Sequence, residues 1–312
     1  MKPLLEARQV RKVFRGRDVR ERCAVDGVSL ALEPGVVLAL VGESGCGKST
    51  LALILAGLEK PSAGQVLFEG EEIAGFDPAR LKGLRRRVQV VLQDPYESLN
   101  PAMNVGQLVA EPLQIHGLAA GPAQVAGALE AVGLSADFAA LRPHQLSGGQ
   151  RQRVAIACAL ALEPAILIAD EPVSMLDAGI RAGILNLLAG LRRERGIGML
   201  FITHDLAAAA HLADEVAVMY LGRIAEEGPA QQVLGSPRHP YTRALLEAVL
   251  VADPRQRRPR APLAGETPGP GQIPAGCRFH TRCPLAQPRC ALADPPLRDA
   301  GPGHRAACLL VE

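Results

Sequence analysis

Six consecutive apolar residues, Val36–Val41, run directly into Gly42-Glu43-Ser44-Gly45-Cys46-Gly47-Lys48-Ser49-Thr50, and the helical pattern LALILAGL follows. This order constrains the fold more than any other feature of the 312 residues. Strand, glycine-rich turn and helix together satisfy G-x-x-x-x-G-K-[ST] in the context that the motif requires. The glycines let backbone N–H groups turn inward around a phosphate, and the helix N-terminus adds partial positive charge. Lys48 then neutralises β and γ phosphates, while Ser49 offers its hydroxyl to a Mg²⁺ that bridges them. Cys46 lies inside the loop, where its backbone matters more than its thiol.

Other apolar runs, Val88–Leu92, Ala165–Ala169 and Met199–Thr203, read as further buried strands that lead into turns or helices, an α/β layered pattern. Two of them end in chemistry. Ala165–Ala169 delivers Asp170 and Glu171 to the C-terminal end of a parallel strand, where open α/β sheets place ligands. Asp170 is suited to hold Mg²⁺ through its water shell and Glu171 to polarise the water that attacks the γ-phosphate. Met199–Thr203 ends at His204, which brings an imidazole to the same edge to contact the γ-phosphate or orient the water. Between residues 95 and 160 the strand pattern stops, and Val105–His116 and Ala123–Val132 read as helices of an inserted helical subdomain.

Composition excludes some classes. The longest apolar run, Val154–Leu162, falls well short of the roughly 20 residues that a membrane helix needs. The net charge of +2 gives no general electrostatic reason to expect nucleic acid as the partner. The start, MKPLLEARQVRKVF, lacks a secretory signal, so the seven cysteines are expected in a reducing compartment and read first as metal or redox groups.

Leu146-Ser147-Gly148-Gly149-Gln150 precedes RQRVAIACALAL and forms a second anion-binding helix start. A single ordinary nucleotide site does not require two such devices. Here the chain resembles the ATP-binding subunit of an ABC transporter: loop at Gly42, Gln93 after VQVVL, signature at Ser147, acids at Asp170 and Glu171, Ser174 to Asp177, then His204. The resemblance covers roughly residues 4 to 240. It implies a P-loop NTPase of the ABC type with an inserted helical subdomain, and head-to-tail pairing with a second ATPase subunit, so that Ser147, Gly148, Gly149 and Gln150 cap ATP held by the partner's loop. It further implies that Gln93 links Mg²⁺ and the attacking water to the membrane partner, that Asp177 couples the two sites, and that Phe14 stacks on adenine. From the residues alone, a core aromatic is the lesser reading of Phe14. Met175, Ala178-Gly179 and Cys158 depart from the commoner family pattern without removing a nucleotide ligand.

From Ala252 the last 61 residues hold 11 of the 25 prolines and four of the seven cysteines, marking a Pro/Cys-rich extension. The division expected is an ATPase domain over 1–236 and an extension over 237–312. QDPYESLNP, HPYTRALLEAV and the RFHTRCP segment resemble the oligopeptide and dipeptide importers, and EPVSMLD with IRAGILNLL resembles their F-type ATPase. Cys277, Cys283, Cys290 and Cys308, separated by five, six and seventeen residues, lack the C-x₂-C pairs of zinc ribbons. Relatives carry a [4Fe–4S] cluster at similar cysteines, with zinc or no metal as the other readings.

The resemblance implies hydrolysis of ATP with Mg²⁺, a second ATPase subunit as heterodimer or homodimer, two integral-membrane permeases, an extracytoplasmic substrate-binding protein, and a peripheral position on the cytoplasmic face of the inner membrane. The cargo read first is peptide, with nickel, glutathione or oligosaccharide as alternatives. A soluble ATPase acting on nucleic acid or ribosomes is the rival class, and no coiled coil or second cassette supports it.

Overall fold

The computed structural model describes residues 3–15, 21–94, 98–248, 268–269 and 272–311. The opening residues of the expected helical subdomain, 95–97, and the head of the Pro-rich extension lie outside these. An eight-stranded sheet has the spatial order β11-β12-β10-β9-β3-β8-β7-β6, in which β11 (Arg298–Gly301), β12 (His304–Ala306), β10 (Arg223–Pro229) and β9 (Glu215–Tyr220) form one side. Beyond β9, strands β3 (Val37–Val41), β8 (Gly198–Thr203), β7 (Ile166–Asp170) and β6 (Val88–Val91) run parallel to one another and to β9, with β6 at the far edge. These are the four strands read from the apolar runs.

The central strands are apolar at nearly every position because both faces of the sheet are covered. Alternate residues serve different cores. Val37, Ala39, Val41, Leu167, Ala169, Met199 and Phe201 pack in one cluster with the helical subdomain. Leu38, Leu40, Ile166, Ile168, Leu200 and Ile202 pack in the other with α1 (Lys48–Leu55). That second cluster is closed by an antiparallel sheet of order β2-β1-β4-β5, formed by β1 (Leu5–Phe14), β2 (Arg22–Leu32), β4 (Ala63–Phe68) and β5 (Glu71–Glu72). The sequence reading did not anticipate this sheet, because its strands carry charged residues on one face and only half alternate.

After α2 (Pro78–Arg87) come α3 (Val105–Ile115), α4 (Pro122–Glu130) and α5 (Gly148–Leu160), which supply the helical subdomain. The α3 start is a capping box: Asn104 accepts from the Gln107 amide at 2.8 Å, and the Gln107 side chain accepts from the Asn104 amide at 2.9 Å. Further helices are α6 (Ala178–Arg195), α7 (Leu206–Leu212), α8 (Ala230–Gly235) and α9 (Pro240–Ala248).

The Cys-rich extension joins the main sheet. Strands β11 (Arg298–Gly301) and β12 (His304–Ala306) continue its edge, with β12 antiparallel to β10 (Arg223–Pro229), which in turn pairs with β9 (Glu215–Tyr220). His304 meets the fully buried Glu226 at 2.7 Å, and Glu226 also accepts from the backbone of Arg238 and His239. Phe279, 1% exposed, stacks edge-on against Tyr220 and tilted against Tyr241. Burial of such a ring contributes about 1.5–3 kcal/mol. Arg278 bonds the Leu221 carbonyl and Asp26. Burial alone would raise the Asp26 carboxyl, but the Arg278 and Arg223 guanidiniums outweigh it and hold Asp26 below the ordinary carboxylate value.

Candidate active site

Strand register gathers the chemistry at one edge. Val41 is level with Thr203, Ile202 with Asp170, and Ala169 with Val91. Gly42, His204, Glu171 and Gln93 therefore leave four adjacent strands at the same C-terminal rim, the expected ligand side of a parallel sheet. Gln93 is exposed there.

The loop wraps around its own lysine. Lys48, 6% exposed, donates from Nζ to the carbonyls of Gly42 at 2.8 Å and Glu43 at 3.0 Å. Gly47 caps α1 at φ 112°, and a Cβ there would overlap the Ala24 carbonyl oxygen and lie 2.9 Å from Met219 Cε. Only glycine fits this turn without displacing β2. Because Gly47 supplies no side-chain cap, the first-turn N–H groups at Lys48, Ser49 and Thr50 present the usual unfilled helix start, suited to an anion. Ser44, Gly45 and Ser49 are exposed on the open side. The Cys46 thiol is buried, and burial raises its pKa, so it stays protonated beside Lys48.

Asp170 is 5% exposed, and its Oδ1 is buried without a hydrogen-bond partner. Burial pushes its carboxyl up, the neighbouring Glu171 adds to this, and the Ser49 hydroxyl and Lys48 oppose it. A buried carboxylate oxygen lacking a partner, beside a serine hydroxyl, is a donor set that fits Mg²⁺. Glu171 adopts φ 48°, a left-handed conformation uncommon for a residue with a side chain. Its carbonyl accepts from the Ser174 hydroxyl at 3.0 Å, and its Oε2 lies 2.7 Å from His204 Nδ1. Glu171 is thus oriented from both ends, while His204 remains largely solvent-facing.

Ser147 caps α5 in a reciprocal box: its hydroxyl accepts from the Gln150 amide at 3.3 Å, and the Gln150 side chain accepts from the Ser147 amide at 2.9 Å. Gly148 packs near Leu176 and Gly149 against Ile180, where a Cβ would collide. Asp177 caps α6 with its backbone only, and its exposed carboxylate makes no cap bond. Met175 is 61% exposed beside it. Phe14 ends β1 with 40% of its surface exposed and Lys12 Nζ 5.0 Å from its ring centroid, so the core-aromatic alternative does not hold.

The four cysteines of the extension line one small cavity with His239 and His280. Among the described residues, no group of three or more His, Cys, Asp or Glu is placed to hold a metal ion. Burial pushes the Cys277 thiol up to about 11, with the other three thiols adding to the rise, and burial also raises Cys283 and Cys308.

Some site residues were missed in the sequence. The Glu43 carboxylate is held by Arg282 at 2.8 and 3.0 Å, and the Glu43 N–H donates to the Tyr241 hydroxyl at 3.0 Å. HPYTRALLEAV and RFHTRCP contain Tyr241 and Arg282, but nothing in their spacing tells that they meet the loop two hundred residues away.

Comparison with known proteins agrees with this geometry. The ABC transporter family matches residues 25–174, and the family described as oligopeptide/dipeptide transporter, C-terminal region, matches residues 225–290. The dipeptide transport ATP-binding protein DppF of Escherichia coli is 46% identical, over 99% of this chain and 95% of that protein. The oligopeptide transport ATP-binding protein AppF of Bacillus subtilis is 44% identical, over 98% of this chain and 97% of that protein. Among solved structures, the dimeric bacterial ABC transporter cassette MJ0796 superposes with a TM-score of 0.66 at 31% identity, covering 72% of this chain and 98% of that one. The rim of loop, acids and histidine, joined to a matching extension, establishes that the chain belongs to the ATP-hydrolysing ABC transporter family, in its oligopeptide/dipeptide-transporter branch.

Proposed function

We propose that this chain is the F-type ATPase of a peptide importer, working at the cytoplasmic membrane face beside a second ATPase and two permeases. The observation that carries the reading is the convergence of Gly42, Gln93, Glu171 and His204 on one rim, with the importer-type extension packed against the same loop. No helix among the described residues is long and apolar enough to cross a membrane, which suits a subunit whose membrane partners are separate chains.

In this reading Lys48 leaves its carbonyl partners for the β and γ phosphates, and the exposed Phe14 ring stacks on adenine. Ser49 and Asp170, with Gln93, would hold Mg²⁺, which would supply charge neutralisation for the phosphates. Glu171 accepts a proton from the attacking water as His204 keeps the carboxylate aimed. The γ-phosphate is capped by Ser147, Gly148, Gly149 and Gln150 of the opposing subunit, and Asp177 reaches across the interface. Closure thus draws on charge shared between two chains.

A groove of about 230 Å³ beside Gln93, between β6, α3 and α5, carries Leu92 at 46% and Ile115 at 61% exposure on its rim. An apolar permease segment docked there would meet Leu92, the residue before Gln93. The four extension thiols suit a [4Fe–4S] cluster, which takes one thiolate per iron and is wider than a single ion. Zinc or no metal at these thiols are the other outcomes of the same test. The raised pKa values of Cys277, Cys283 and Cys308 mean that assembly must displace protons. Anaerobically purified protein is expected to be brown, with iron and sulfide; a colourless or zinc-loaded sample refutes the cluster.

The cargo is tested in proteoliposomes bearing the complete transporter. ATP-driven uptake of di- or oligopeptide, uncompeted by nickel, glutathione or oligosaccharide, is expected. Uptake of one of those solutes without peptide uptake would overturn the peptide assignment.

A further inference from the structure

Two segments of the candidate site meet at an arginine that no motif marks. Arg181 stands in the first turn of α6, and its amide donates to the Asp177 carbonyl at 2.8 Å. Its guanidinium reaches two further places. Nη1 donates to Asp205 Oδ2 at 3.0 Å, and Nη2 donates to the Leu176 carbonyl at 3.4 Å. Leu176 immediately precedes Asp177, and Asp205 immediately follows His204. Asp205 is fixed on its other side as well: Oδ1 accepts from the Ala207 and Ala208 amides at 2.9 and 3.2 Å and so caps α7, and its own N–H donates to the Thr203 hydroxyl at 2.9 Å. One residue back, His204 Nδ1 lies 2.7 Å from Glu171 Oε2. A continuous chain of contacts therefore runs from the Asp177 segment through Arg181 and Asp205 to His204 and Glu171. Stability does not account for the arginine. Arg181 and Asp205 are both partly exposed, where an ion pair contributes little, and Arg181 Nε is buried with no partner among the described residues, which is unfavourable.

We propose that Arg181 is a positioning residue for hydrolysis: it ties the segment carrying Asp177 to the segment carrying His204, so that a partner subunit meeting Asp177 sets the aim of Glu171 within this chain. The inference rests on the reading of Glu171 as the base and of Asp177 as the residue that crosses the interface. The phosphate loop and Lys48 lie on other elements, so loss of Arg181 leaves the groups that grip ATP in place. What is lost is the mechanical link. Asp205 still caps α7, but His204 and the Asp177 segment are free to move apart, and Glu171 is aimed correctly for a smaller fraction of the time.

The test measures steady-state ATP hydrolysis by the assembled transporter. Arg181→Met is expected to lower kcat about ten-fold and to leave KM for ATP within about two-fold of the parent. Asp205→Ser breaks the contact from the other side: serine still caps α7 but is too short to meet Arg181, and the same loss is expected. Because the two residues act through one bond, the double variant Arg181→Met/Asp205→Ser is expected within about two-fold of either single variant, whereas independent losses would multiply to about a hundred-fold. Thermal unfolding separates positioning from simple stability. A merely structural arginine would lower the melting temperature and leave kcat per folded molecule unchanged. Parent-like kcat in either single variant that folds overturns the proposal, and so do losses that multiply. Glu171→Gln, assayed alongside, separates the link from the reading beneath it: a stalled Glu171→Gln beside a fast Arg181→Met removes the link alone, and a fast Glu171→Gln removes both.

Discussion

The glycines of the phosphate loop are not equivalent, and a pair of alanine substitutions reads the difference. At Gly45, φ is 77° and a Cβ would meet nothing within 4 Å, so Gly45→Ala costs only the left-handed backbone, about 1–2 kcal/mol. At Gly47, φ is 112° and a Cβ would overlap the Ala24 carbonyl and press on Met219, so the backbone cost is joined by overpacking of about 1–3 kcal/mol. The sum for Gly47→Ala is about 3 kcal/mol, roughly 150-fold in an equilibrium constant, against about ten-fold for Gly45→Ala. Where this cost surfaces depends on the loop. A loop that keeps its shape when empty loses folding stability, and one that relaxes loses ATP affinity, so the two losses must be added. Titration calorimetry with ATP and Mg²⁺, paired with denaturant unfolding of the empty chain, measures both. A combined loss for Gly47→Ala equal to or below that for Gly45→Ala would refute the claim that Ala24 and Met219 enforce the turn.

Further expectations concern separate parts of the molecule. Glu171→Gln should retain ATP binding and stall hydrolysis by at least a hundred-fold, whereas Lys48→Ala should lose binding itself; normal turnover of Glu171→Gln would show that the base lies elsewhere. Phe14→Ala should weaken ATP about five-fold, near 1 kcal/mol, and an unchanged affinity would remove Phe14 from the adenine site. Burial holds the His239 imidazole down to about 4, against an ordinary 6.5, while a hydrogen bond to Ala307 pulls weakly the other way. Its neutral form also accepts the Tyr241 N–H at 3.0 Å. The folded pKa being depressed, its stabilisation is full above pH 6.5 and is lost as pH falls through 4, by roughly 3 kcal/mol. Unfolding curves from pH 7 to 4 should therefore be steeper in pH for the parent than for His239→Gln, and parallel curves would contradict this.

How much was legible follows from the range of each signal. The four parallel strands and the helices after residue 100 announced themselves because each is a local run whose burial is nearly complete. The loop, the Asp170-Glu171 pair and His204 were legible because a strand end is a position that sequence marks and parallel register then aligns. The antiparallel sheet escaped: β1 is interrupted by register shifts and alternates imperfectly, with Arg8, Gln9, Arg11 and Lys12 among its residues. The Glu43–Arg282 pair escaped for another reason. Opposite charges far apart in the chain carry no mutual signature, and only the fold of the extension onto β10 brings them together. The extension's composition pointed to a unit apart, yet Phe279 and Tyr241 belong to the main hydrophobic core.

The central claim is that the rim built by Gly42, Glu171 and His204 is half of a site that ATP closes between two chains. Sedimentation of Glu171→Gln with the second ATPase subunit of its transporter tests this most directly. A two-chain species is expected to form with ATP and Mg²⁺ and to be abolished by adding Lys48→Ala to the same chain. A mass that is the same with and without ATP would contradict it.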